Sequence, residues 1–149
     1  MIRVIALCVL VTLLCPCSLA IAKEPGPGPD ARTSLLIAEA HHFRAMCGDS
    51  LWAEWGAARI PILVIEEDRE YAIDFPKPLP HFDPIGVDSI LHVKIQAEKR
   101  THDGGLCAAL DVEGIQAVVA GSPEETGFEG ARWVLRIDHD MFHVFHTLV

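Results

Sequence analysis

Apolar residues change their spacing twice along this chain, and the changes limit what it can fold into. They recur at helical spacing over residues 33–46, form continuous and alternating runs over 60–120, and return to helical spacing over 131–149. A period of about 3.6 residues marks a helix with one buried face, and a period of about two marks a strand. The sequence therefore predicts helices near both ends and strands between them.

The first predicted helix covers residues 33–46 and ends at Gly48. Its predicted apolar stripe repeats at i, i+4, i+7 and i+11, as Leu36, Ala40, Phe43 and Cys47. Trp52 and Trp55 follow this helix, and we interpret them as core anchors rather than as a platform for a ligand.

Strands are predicted in the middle of the chain from apolar runs separated by turn residues. They lie at 60–65 and 70–75 as one hairpin, at 91–98, and at 108–112 and 115–120 as a second hairpin. Four prolines within residues 76–84 predict a loop, because proline lacks the backbone donor that a central strand needs. His92 lies on the polar side of its alternation, so we expect it to point to solvent.

The first 22 residues have the layout of a secretory signal peptide. Arg3 precedes an apolar run over 4–14, and the small-residue site Ala20-Ile21-Ala22 follows. That run is too short to span a bilayer comfortably, so we expect export and no membrane span after cleavage. A linker rich in proline and glycine is predicted at 23–31, and one domain at 32–149.

The net charge limits the kinds of partner that the chain can bind, and the cysteine content bears on the compartment in which it folds. The net charge is −9, and it becomes −10 when Arg3 leaves with the signal peptide. Such an acidic chain disfavours nucleic acid and anionic membranes as partners. Beyond the signal peptide only Cys47 and Cys107 remain. They can pair in an oxidising compartment, with a gain of about 4 kcal/mol, or stay two separate buried thiols.

The last predicted helix carries the one pattern that points to chemistry. Its apolar stripe is Trp133, Ile137, Met141 and Val144, and it contains His139-Asp140-Met141-Phe142-His143. Two histidines at i and i+4 share a helix face, so both imidazoles can reach one zinc ion at about 2.0–2.1 Å. We expect that face to be directed at the sheet or into a groove beside it. With glutamate as the acidic residue, the pattern would be the zinc-metallopeptidase motif, whose carboxylate is the general base.

A longer stretch supports this interpretation. The run from Trp133 to His143 resembles the active-site helix of a group of uncharacterised exported bacterial proteins, in which a tryptophan-bearing stretch leads into a zincin-like His-Glu-x-x-His motif. The segments Cys47-Gly48-Asp49-Ser50-Leu51-Trp52 and Ile60-Pro61-Ile62-Leu63-Val64 follow the order of the same group. The resemblance implies an α+β fold, with an N-terminal helix, an antiparallel or mixed sheet of about four to five strands and a C-terminal motif helix. It also implies zinc held by His139 and His143, Asp140 as the catalytic base, and a peptide substrate.

The chain departs from this motif in two ways. Asp140 is one methylene shorter than glutamate, and a misplacement of about 1 Å can cost on the order of 10²-fold in rate. No third ligand follows the motif; His146 lies on the same broad face, but one straight helix rarely supplies three tetrahedral ligands. The prediction is therefore an exported zinc metallopeptidase-like protein with little or no activity, incomplete at its C-terminal end. The alternative is a secreted, non-catalytic α+β binding module with a histidine-rich helix.

Overall fold

The computed structural model describes residues 28–149, so the predicted signal peptide and most of the predicted linker lie outside the described residues. The helices are α1 (Ala31–Leu51), α2 (Pro123–Thr126) and α3 (Ala131–Leu148). The strands are β1 (Ile62–Glu66), β2 (Arg69–Ile73), β3 (Asp83–Val87), β4 (Lys94–Lys99), β5 (Cys107–Val112) and β6 (Ile115–Gly121). The predicted α+β class is confirmed, with six strands in place of four to five.

One mixed sheet runs in the order β3-β4-β2-β1-β6-β5. Of the five pairs of neighbouring strands in this sheet, β1 and β6 are parallel and the other four pairs are antiparallel. Both predicted hairpins are confirmed, since β1 pairs antiparallel with β2 and β5 pairs antiparallel with β6. β1 reads as an unbroken apolar run because its side chains are buried on both faces of the sheet.

The prediction of a loop throughout residues 76–84 is wrong at its end, where β3 begins at Asp83. β3 is an edge strand, and its register with β4 shifts between Pro84 and Gly86. An edge strand needs hydrogen bonds on one side only, so it tolerates a proline that a central strand excludes. His92 precedes β4 and is exposed, as predicted.

Helix α1 is longer than predicted at both ends. The side chain of Asp30 accepts a hydrogen bond from the Thr33 backbone N–H at 2.7 Å and caps its start. Gly48 lies inside the helix rather than at its end, and a Cβ there would come within 2.6 Å of the Gly56 backbone. Gly48 is therefore needed for close packing of two chain segments, not for a left-handed cap.

The predicted stripe on α1 is also partly wrong. Ile37 and Ala40 are fully buried, whereas Phe43 is exposed and Arg44 is buried in its place. The Arg44 guanidinium lies over the Trp55 ring, 5.2 Å from its centroid. The buried face of α1 therefore includes a polar residue, Arg44, and differs from the face that the apolar residues alone predict.

Helices α1 and α3 pack on the same face of the sheet and enclose the larger core. The buried side chains of that core include Ile37, Ile62, Val64, Ile73, Ile95, Val118, Trp133, Ile137, Met141 and Val144. Trp133 fixes α3 to the end of β6, because its Nε1–H donates to the Gly121 carbonyl at 2.9 Å. A smaller core covers the other face, where Leu79 from the connection after β2 packs on Leu63 and Val119. Within residues 28–149, no helix is long and apolar enough to cross a membrane.

Candidate metal-binding helix

Helix α3 carries the two histidines that the sequence predicts as zinc ligands. The predicted stripe of Trp133, Ile137, Met141 and Val144 is fully buried against the sheet, which confirms it. His139 and His143 lie on the other side of the helix and are exposed. Their Nε2 atoms are 3.0 Å apart, with ring centroids 4.5 Å apart and ring planes at 85°. The 3.0 Å separation is that of a hydrogen bond between the two rings, in which one Nε2 donates to the other.

The pair does not face the sheet, because the apolar stripe occupies that side. His139 instead borders a groove of about 300 Å³ between the end of α1 and α3. Trp52, Trp55 and Phe142 line the groove, and the Trp55 ring lies 5.4 Å from the Phe142 ring. Trp55 is buried as a core anchor, as predicted, but Trp52 is 47% exposed, so that prediction is wrong for Trp52.

His146 does not join the pair. Its ring packs edge-on against Trp52 at 5.0 Å and against Phe142 at 4.8 Å. Among the described residues, no group of three or more potential ligands brings its atoms together around His139 and His143. In the part of the chain that the structure describes, the pair therefore offers two potential ligand atoms without a third beside them.

Asp140, the predicted general base, points in another direction. Its side chain is 4% exposed and lies between α3 and β5. Its Oδ2 accepts a hydrogen bond from the Cys107 thiol at 3.2 Å and lies 3.1 Å from Arg136 Nε. Arg136 also donates to the Cys107 carbonyl at 2.8 Å. The Asp140 carboxylate is therefore part of the contact between α3 and β5.

Of the two alternatives for Cys47 and Cys107, the structure has the separate thiols: both cysteines are free, and both are half-buried. Burial, the hydrogen bond to Asp140 and the charge of Asp140 raise the pKa of Cys107 to about 12. The Cys107 thiol therefore stays protonated at neutral pH and acts as a donor. Two leftover cysteines in an oxidising compartment are compatible with a disulfide, but they do not establish that the two lie close together.

Three carboxylates that sequence reasoning missed meet at the start of α1. They belong to Asp30, to Glu66 at the end of β1 and to Glu124 in α2. Such an all-oxygen set is of the kind that hard divalent cations prefer. Each carboxylate already has a protein partner: Asp30 caps α1, Glu66 accepts from Thr33 Oγ1 at 2.9 Å, and Glu124 pairs with Arg32.

Burial raises the pKa of Glu66 to about 7, and the neighbouring Asp30 carboxylate adds to the rise, against the hydrogen bonds from Asp30 N–H and Thr33. The three carboxylates come from segments far apart in the sequence, and no local pattern joins them.

Comparison of the chain with protein-family models, with curated proteins and with solved structures yields no match.

Proposed function

We propose that this chain is an exported α+β module whose last helix binds a zinc ion weakly through His139 and His143, without hydrolase activity. The observation that carries the proposal is the 3.0 Å separation of the two Nε2 atoms. Two nitrogens bound to one tetrahedral zinc at about 2.05 Å are about 3.3 Å apart. In the structure the two rings share a hydrogen bond, so zinc would take the place of the shared proton and the two nitrogens would move about 0.3 Å further apart.

Weak binding follows from the number of ligands. Structural zinc sites use four protein ligands and catalytic sites use three. The pair supplies two, and water completes the shell. Metal binding at this pair competes with protons, because imidazole binds zinc only in its neutral form.

The absence of hydrolysis follows from the position of Asp140. A general base must lie within hydrogen-bond reach of the zinc-bound water. Asp140 is instead buried against Cys107 and Arg136. We therefore propose that the metallopeptidase-like motif of this chain binds a metal ion and does not catalyse hydrolysis. Peptide hydrolysis would require a third ligand and a carboxylate on the exposed side of α3.

Zinc titration by calorimetry, with a fluorogenic peptide mixture assayed in parallel, tests the proposal. The wild type should bind zinc and release it to a chelator, His143→Ala should lose binding, and neither should cleave peptide. His42→Ala is the matched control, since His42 is an exposed histidine on α1 and not on α3. Equal zinc binding by wild type and His143→Ala would refute the site, and zinc-dependent cleavage lost in His143→Ala would show the protein to be a peptidase.

Export is proposed from residues 1–22 alone. N-terminal sequencing of protein recovered outside the cytoplasm should begin at Lys23.

A further inference from the structure

We infer that the zinc ion at this helix is shared by two copies of the chain, each contributing His139 and His143. The inference rests on the proposed function and names the partner that completes its site. The result would be an isologous dimer, in which the ion lies on the two-fold axis and the same surface of both copies meets.

The ligand count leads to this arrangement. Tetrahedral zinc takes four ligands, and one copy presents two nitrogens 3.0 Å apart. Of the other potential ligands on the same helix, His146 packs on the rings of Trp52 and Phe142, and Asp140 contacts Cys107 and Arg136. Asp138 is half-buried, and its Oδ1 is buried in the protein. A second identical pair supplies the two missing ligands.

The surface beside the pair is apolar. Leu135, one helical turn before His139, is 56% exposed, and Leu51 is 74% exposed across the groove. Together with Trp52 they form an exposed apolar patch next to the ion, of the kind that marks interaction sites. In an isologous contact each of these residues is covered in both copies. Binding of one ion would therefore bury the apolar patches of both chains.

The charge distribution also favours this face. The chain carries a net charge of −9, so most contacts between two copies place carboxylates near one another. No exposed residue of α3 is acidic, because Asp138 is half-buried and Asp140 is buried. The exposed side of α3 therefore presents few carboxylates to a second copy; the half-buried Asp138, which lines the groove, is one of them.

Sedimentation velocity of the purified protein with zinc chloride, and with EDTA in place of zinc, tests the inference. Zinc should double the mass of the sedimenting species at one ion per two chains, and EDTA should reverse the change. His143→Ala should remain monomeric with zinc, and His42→Ala should behave as the wild type. Leu135→Gln keeps both imidazoles and should shift zinc-induced dimerisation to higher protein concentration. Cobalt(II) added in place of zinc should give the strong visible absorption of a tetrahedral site rather than the weak absorption of an octahedral one.

Each outcome has a separate meaning. One zinc ion per chain on a monomer would overturn the shared site and leave the proposed function standing. No zinc binding by the wild type would overturn both. A dimer that persists in EDTA, or that His143→Ala still forms with zinc, would show that two copies associate without a metal bridge, and it too would overturn the inference.

Discussion

Glu70 gives the sharpest test of how the connection after β4 is held. Its carboxylate is completely buried in β2 and accepts hydrogen bonds from the backbone N–H groups of Thr101 and His102, both at 2.5 Å. The Thr101 hydroxyl and the Nδ1 of His102 also contact it, the latter at 3.0 Å. One side chain thus fixes the turn that leads the chain from β4 towards β5.

Replacing Glu70 by alanine should leave two backbone donors without an acceptor. An unsatisfied buried donor costs about 1–3 kcal/mol, and water can reach Thr101, so the lower part of that range applies to each. We expect Glu70→Ala to lower the free energy of unfolding by about 2–3 kcal/mol. Glu70→Gln keeps one acceptor oxygen but loses the charge, and should cost about 1 kcal/mol.

Glu98 is the matched control, since it lies directly opposite Glu70 on β4. Burial and the charge of Glu70 raise the pKa of Glu98. Burial alone would raise the pKa of Glu70 too, but the hydrogen bonds from His102 and Thr101 outweigh it and hold that pKa below its usual value. Ionisation therefore stabilises the fold at Glu70 and destabilises it at Glu98, so Glu98→Gln should be neutral or slightly stabilising at pH 7.

Glu70 and Glu98 should therefore affect the pH dependence of the free energy of unfolding in opposite directions. The contribution of Glu70 is complete above the unfolded-state pKa of about 4.3 and is lost as pH falls through its lower folded-state value. Glu70→Gln should therefore flatten the acid side of the stability profile. Urea denaturation of the three variants and the wild type between pH 3 and pH 7 measures this. Equal midpoints for Glu70→Ala and Glu98→Gln at pH 7 would refute the reasoning.

Two further predictions concern α3 and its contact with β5. Ile137→Ala should lower the free energy of unfolding by about 2–5 kcal/mol because the side chain is fully buried, whereas Leu135→Ala on the exposed side should change it by less than about 0.5 kcal/mol; urea denaturation of both checks this. Cys107 should react slowly with a thiol reagent in the native protein at pH 8 because its pKa is about 12, and faster in Asp140→Asn. After denaturation without reductant, Cys47 and Cys107 should both titrate as free thiols. If no free thiol is found, the two cysteines form a disulfide after all.

The strands and α3 could be predicted because their burial follows the simple periods. β1 lies between two strands and two cores, so its whole run is apolar, and α3 has one buried stripe at i, i+4 spacing. The presence of α1 could be predicted as well, but its buried face could not, because that face includes Thr33, Ser34 and Arg44. These polar residues are buried through long-range contacts, as when the Ser34 hydroxyl donates to Asp88 at 3.0 Å, and no local pattern reveals them.

The candidate site could also be predicted only in part, and helix geometry explains why. The spacing of four residues fixes His139 and His143 on one face of any helix, and their Nε2 atoms do lie 3.0 Å apart. The residue after the first histidine points about 100° further round the helix, so its direction depends on what lies beside the helix. Here β5 lies there, and Cys107 with Arg136 binds the Asp140 carboxylate. A pattern of five residues can therefore predict that two histidines share one helix face, while the role of the acidic residue between them is decided by the strand that packs against it.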